Sequence, residues 1–189
     1  MHIPVSSYHL DIADLRKRVI TLPPVEKAEA RIKGGGILHI KVNEKTPALL
    51  LKEKIGFTVL SKQGEFIRSV SSREHFSGLP VIIGKGAENA AHQANAIFKA
   101  IYGKLDQVRG LVFVGQRRWN LIMASGQVVM LPEKNPEHAN QKIIILDEAE
   151  QILSRNISVF DLRLPSRITL RIPPDKYGQI NSNVIGVRN

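Results

Sequence analysis

The spacing of apolar residues changes several times along this 189-residue chain, and each change marks an element. In "DIADLRKRVIT", residues 11–21, Ile12, Leu15 and Val19 recur at helical spacing. Asp11 offers a cap and Pro23-Pro24 a stop, so a short helix is predicted there. In "VEKAEARIK" the period shortens: Val25, Ala28, Ala30 and Ile32 nearly alternate with charged residues. "GGG" at 34–36 turns the chain, and "ILHIKVNEK" sets Leu38, Ile40 and Val42 against Ile37, His39, Lys41 and Asn43. The first block is thus a helix and a β-hairpin, closed by "KTP" at 45–47 and at about forty residues too small to be comfortable alone.

A longer block follows from residue 49. "FTVLSKQGEFIRSV" places a Gln-Gly turn between two short strands, and "LPVIIG" reads as a buried strand. A helix is predicted from Ala87 to Leu105, with Ala90, Ala94, Ile97, Phe98 and Ile101 inward. "VRGLVFVG", "RRWNLIMA" and "GQVVML" are three strands, the last two joined at Ser125-Gly126. Pro136 opens a second helix running to about Ser154, with Ala139, Ile143, Leu146, Ala149, Ile152 and Leu153 inward. The closing hairpin is "ISVFDLRLPSRITLRIPP", residues 157–174. Alternation there sends Phe160, Leu162, Leu164, Ile168, Leu170 and Ile172 to one side, and Arg163, Arg167 and Arg171 to the other. Pro173-Pro174 ends its second strand, 167–172, and nothing beyond alternates strongly enough to cover that edge. Mostly hairpin-linked strands with two amphipathic helices give an α+β class. Residues 49–172 hold both long helices and nearly all the strong strands, so they are expected to fold alone.

Composition removes several functions. The apolar runs are far shorter than the ~20 residues of a membrane helix. No leader pattern is visible either: charges at Asp11, Asp14, Arg16, Lys17 and Arg18 crowd the first twenty residues. The chain as given is expected to be soluble. The net charge is +10, yet the excess is spread, with 13 basic against 8 acidic residues in 1–75 and 14 against 9 in the remainder. Nucleic-acid binders more often concentrate charge and interleave aromatics, which make up only 5% here. An acidic protein partner or surface fits the charge at least as well as nucleic acid does. The absence of cysteine removes disulfides, thiol nucleophiles and thiolate metal sites together.

No constellation carries catalysis. "GKGAEN" at 84–89 precedes a helix but lacks the Walker spacing, and the dinucleotide fingerprint fails at Asn89, so a glycine turn feeding a helix is the expected reading. His2, His9, His39, His75, His92 and His138 show no metalloprotease spacing, and the serines lack nucleophile-elbow contexts. No catalytic, cofactor-binding or metal-binding residues are predicted, and the chain is expected not to be an enzyme. Trp119, the single tryptophan, reads as a core anchor in "RRW", with Arg117 and Arg118 solvated or facing an acidic partner.

"RRWNLIMASGQVVMLPEKNPEHA", then a helix, then "ISVFDLRLPSRITLRIP" closely resembles the periplasmic part of the FtsQ family of bacterial cell-division proteins. Upstream, "LDIADLRKRVITLPPVEKAEARIKGGGILHIKVNEKTPALLL" resembles the second half of a POTRA domain, ending in E-x-x-P-A at Glu44, Pro47 and Ala48. The resemblance implies a partial POTRA domain at 1–48, a β domain at 49–175 and a C-terminal tail at 176–189. It further implies a single-pass protein at the periplasmic face of the inner membrane, anchored by a segment upstream of this chain, which then begins inside the POTRA domain.

Function follows from the same resemblance: a non-enzymatic divisome scaffold whose β domain binds the periplasmic segments of FtsB and FtsL, among other divisome proteins. Its last strand is the docking edge, supported by the arginine of the D-L-R motif, here Arg163. By position the partner-binding residues are then Arg163, Leu164, Ser166, Arg167, Ile168, Thr169, Leu170, Arg171 and Ile172, with Arg118 a weaker candidate. Some relatives carry aromatics where Leu164 and Ile172 stand, so aliphatic packing is expected instead. Two other classes remain open. One is a POTRA-type module handling envelope polypeptides, which a downstream β-barrel would favour. The other is a basic nucleic-acid binder, which steeply salt-dependent affinity would favour.

Overall fold

A computed structural model describes residues 11–101, 104–164 and 166–173. The first ten residues, Pro174 and the expected tail at 176–189 lie outside the described residues. The backbone forms two compact units that divide between Leu79 and Pro80.

The first unit opens with α1, Ile12–Ile20. Asp11 caps it as expected: one carboxylate oxygen accepts from the backbone N–H groups of Ala13 and Asp14, at 2.9 and 3.0 Å. Arg16 Nε donates to the Ala28 carbonyl at 3.0 Å and ties α1 to β1, Val25–Lys33. That strand pairs antiparallel with β2, Ile37–Glu44, and the register sets Ala28, Ala30 and Ile32 opposite Val42, Ile40 and Leu38. A nine-residue helix is too short to shield that whole row. Val25 and Ala28 are buried, whereas Ile40 and Val42 on the apolar side remain exposed. A meander of β3 (Leu49–Lys52), β4 (Phe57–Leu60) and β5 (Phe66–Val70) completes the unit. Its turn lies at the expected Gln-Gly, where Ser61 N–H donates to the Glu65 carbonyl.

The second unit contains β6 (Val81–Ile83), α2 (Ala91–Ala100), β7 (Val108–Val114), β8 (Arg118–Met123), β9 (Val128–Met130), α3 (Pro136–Glu150), β10 (Val159–Asp161) and β11 (Thr169–Arg171). Its strands lie in the order β11-β10-β9-β8-β7-β6. β7, β8 and β9 form an antiparallel core. β6 joins β7 in parallel through α2, and β9 joins β10 in parallel through α3. Both crossovers run the same way along the sheet and α2 packs against α3, which puts both helices on one face, as right-handed connections require. Under them lie Leu111, Trp119, Leu121, Val129 and Phe160, all buried, with Ile97 and Ile143 pressing down from the helices. The α+β class holds.

Two helix ends differ from the periodic reading. The α2 segment begins as a 3-10 turn at Ala87–Ala90 and its α-helical part ends at Ala100. The Pro136 helix stops at Glu150, because Gln151 takes a left-handed conformation (φ 50°) and a separate 3-10 turn follows at Ile152–Ser154. Ala149 is exposed, while Ile143 and Ile152 are buried as expected.

Asp147 locks that ending. Its carboxylate takes a 2.7 Å ion pair from Lys104 and a 2.8 Å hydrogen bond from the Leu153 backbone N–H. Burial alone would raise the Asp147 pKa. The Lys104 and Leu153 hydrogen bonds, with the Lys104 charge, outweigh it and hold the carboxyl below the ordinary aspartate value. A depressed folded pKa stabilises the protein above the unfolded value and ceases to do so as pH falls through the folded one. Asp147→Asn is therefore expected to cost about 1–2 kcal/mol at pH 7. In denaturant titrations across pH the difference from wild type should shrink below about pH 4. A gap that stays constant down to pH 2.5 would refute the assignment.

Candidate partner-binding edge

β10 and β11 are the last two strands of the sheet. Val159, Phe160 and Asp161 lie opposite Arg171, Leu170 and Thr169. No described strand pairs with the outer side of β11. Ser158 secures the inner side, donating to the Arg171 carbonyl from its N–H at 2.8 Å and its hydroxyl at 2.9 Å.

β11 is shorter than the 167–172 strand expected from alternation, and its apolar residues are not packed inward. Leu164 is 51% exposed and Leu170 45%, and Ile168 is exposed as well; only Ile172 is half-buried. Leu170 shares a face with the fully buried Phe160, so the polarity pattern was read correctly. Among the described residues the helical cover ends at β10, and none lies above the outermost strand. Leu164 lies beyond the β10 ladder altogether. Ser166, Arg167, Thr169 and Arg171 are also exposed.

Arg163 does not reach freely into solvent. Its Nε and Nη2 donate to Asp161 Oδ1 and Oδ2 at 2.8 and 2.6 Å, and its backbone N–H donates to Oδ1 at 3.0 Å. This fork fixes the exit from β10 and leaves the guanidinium partly exposed. The Arg163 hydrogen bond is the main reason the Asp161 carboxyl stays below its usual range. Burial opposes it, and the charges of Arg163 and Arg118 add to it. The same pairing raises the Arg163 pKa.

Arg118 joins this group across the sheet. Trp119, Leu121 and Met123 of β8 are buried, so Arg118 and Asn120 alternate to the face away from the helices. Asn120 lies opposite Met130, which lies beside Asp161. The Arg118 Nε atom is buried with no hydrogen-bond partner among the described residues. Arg118, Arg163 and Arg171 thus outnumber Asp161 on one face of the sheet edge. Of the position-based residues, Thr169, Leu170 and Arg171 form β11, Arg163, Leu164, Ser166, Arg167 and Ile168 lead into it and Ile172 follows it, while the charge of Arg118 acts on Asp161.

Two features escaped the sequence reading. Asp161 is the acceptor that orients Arg163, legible only as the D of D-L-R. On the helix side, the start of α3 and the β10–β11 connection enclose an open groove of about 480 Å³. Lys134, His138 and Lys142 recur there at four-residue spacing, a stripe visible in the sequence but aimed at nothing until α3 was placed. Among the described residues, no cluster of three or more His, Asp and Glu could hold a metal ion.

The family described as "Cell division protein FtsQ/DivIB, C-terminal" matches residues 49–163. Among curated relatives, Cell division protein FtsQ of Paracoccus denitrificans is 40% identical over 172 residues, covering 91% of this chain and 51% of its own length. That of Jannaschia sp. is 36% identical, covering 91% and 55%. That of Rhizobium radiobacter is 33% identical, covering 86% and 77%. The chain spans about half the length of the Paracoccus and Jannaschia relatives. A solved structure, the major extracytoplasmic domain of the trans isomer of DivIB from Geobacillus stearothermophilus, covers 60% of this chain and 99% of its own, with a TM-score of 0.40 and 12% identity. On the family match and these identities, the chain belongs to the FtsQ/DivIB family of cell-division proteins.

Proposed function

We propose that this chain is the partner-binding part of a non-enzymatic divisome scaffold, and that it docks the periplasmic segments of FtsB and FtsL by strand addition to β11. Membership of a cell-division family gives the divisome role. The observation that carries the finer reading is the outer side of β11, unpaired among the described residues, with Ile168 and Leu170 exposed beside it. Soluble proteins usually blunt such an edge, and among the described residues only the arginines do so; an edge that recruits partners must stay open. Arg163, held by Asp161, and Arg118 supply positive charge for acidic groups on the incoming segment. The same reading places the protein at the periplasmic face of the inner membrane. It takes the anchor to lie in a segment outside this chain; among the described residues no helix is long and apolar enough to cross a membrane. It also takes 1–48 as a partial POTRA domain, 49–175 as the β domain and 176–189 as a tail.

Proline substitution tests the mechanism, since proline cannot donate to a ladder. Along β11 the N–H groups point alternately toward β10 and outward, so Thr169→Pro and Leu170→Pro together sample the outward donor. Calorimetric titration with the FtsB periplasmic segment should show binding lost in both variants, with far-UV circular dichroism retained in the variant whose N–H pointed outward. Arg163→Ala should weaken binding less, and in a salt-sensitive way. Two folded proline variants that bind like wild type would exclude strand addition.

A further inference from the structure

We propose that the groove between the start of α3 and the β10–β11 connection is a second recognition element, accepting an apolar side chain followed by carboxylates from the same polypeptide that adds to β11. This rests on the strand-addition reading and gives the partner its chemistry. The groove floor is apolar: Leu162 is buried there, and Leu164 and Ile168 present exposed surface to it. Lys134, Lys142 and Arg167 stand on its rim, and no acidic side chain lines it.

Among the described residues those three cations form no ion pair. The stability of α3 does not account for them either: Lys134 precedes its N-terminal end, where positive charge opposes the helix dipole, Lys142 lies about two turns inside it, and Arg167 is not on the helix. A solvated cationic stripe is the bland alternative, and it predicts no link to an apolar floor or to a sheet edge. Both links are present. Ser166, Arg167 and Ile168 line the groove and lead directly into Thr169 of β11. From Thr169 back to Ser166 is three residues, at most about 10 Å of chain. A strand lying along β11 that continues past Thr169 therefore arrives over the groove. Its next apolar side chain meets Leu164 and Ile168, and carboxylates beyond it meet Lys134, Lys142 and Arg167. An acidic, apolar-anchored peptide is the occupant that leaves none of these groups unmatched.

Two synthetic peptides test this. Both carry a central alternating Thr-Val strand; one is flanked at each end by leucine and two glutamates, the other by leucine and two lysines, so strand direction does not matter. Wild type should bind the acidic peptide about tenfold more tightly at low salt. The triple variant Lys134→Glu, Lys142→Glu, Arg167→Glu, altered only at exposed positions, should reverse that preference. A control reversed at Lys33, Lys41 and Lys54 should keep it, which separates the groove from general attraction to a basic protein. Equal binding of both peptides, no binding of either, or a triple variant that keeps the wild-type preference would overturn the groove. Whichever of Thr169→Pro and Leu170→Pro stays folded distinguishes the two readings. If it binds the acidic peptide like wild type while the triple variant reverses preference, the groove stands and strand addition falls. If it alone loses binding, strand addition stands and the groove falls.

Discussion

Replacing Trp119 by alanine is expected to cost about 3–5 kcal/mol, among the largest losses available to a single substitution in the second unit. Trp119 is fully buried in β8, beneath α2 and α3. Its ring centroid lies 4.5 Å from that of Phe113, the residue directly opposite on β7. Its Nε1 donates to Gln93 Oε1 of α2 at 2.8 Å. Alanine therefore removes a large apolar volume from a site enclosed on all sides, and leaves a part-buried amide oxygen without its donor. Trp119→Phe should keep most of the volume, lose only the hydrogen bond and cost clearly less. Urea titrations should show a lower midpoint with an unchanged slope. A loss under 1 kcal/mol would mean that Trp119 is not the anchor between sheet and helices.

That anchor was legible because one large aromatic alternated with Leu121 and Met123 in an unbroken run. β1, β2, β7, β8 and the α1 cap were legible for the same reason: each element carries its own period and its own stop. The outer hairpin was only half legible. Alternation correctly placed Leu170 on the face of Phe160, but a period reports which face a residue shares and not whether anything covers that face. Leu164, Ile168 and Leu170 are exposed because the helical layer ends at β10, a tertiary fact with no local signature. The stop of α3 at Gln151 was hidden likewise, since neither glycine nor proline marks it. There the bond from Leu153 N–H to Asp147, together with the Lys104 pair, holds the turn. At the candidate site the D-L-R motif identified Arg163, while the forked bond to Asp161 and the influence of Arg118 needed three strands placed side by side.

The glycines of "GKGAEN" give the last test, in which a steric and a ligand-binding explanation predict different outcomes. Gly84 follows β6 with φ at +127°, a region that side chains rarely enter. β6 runs parallel to β7 with Ile83 beside Val112, so the next residue meets the Phe113 backbone. A Cβ on Gly84 would lie 2.5 Å from the Phe113 carbonyl oxygen and 3.2 Å from its nitrogen. Both are ladder atoms that cannot withdraw. Gly84→Ala should therefore destabilise the second unit by about 3 kcal/mol or more, with no ligand present. Lys85→Ala, one residue on and exposed, should change stability by under ~0.5 kcal/mol. A phosphate-binding loop would behave the other way: the glycine variant would fold, and the lysine variant would lose nucleotide affinity. Thermal unfolding of both variants, with and without ATP, separates the two. A Gly84→Ala protein that melts like wild type would remove the steric explanation of this turn.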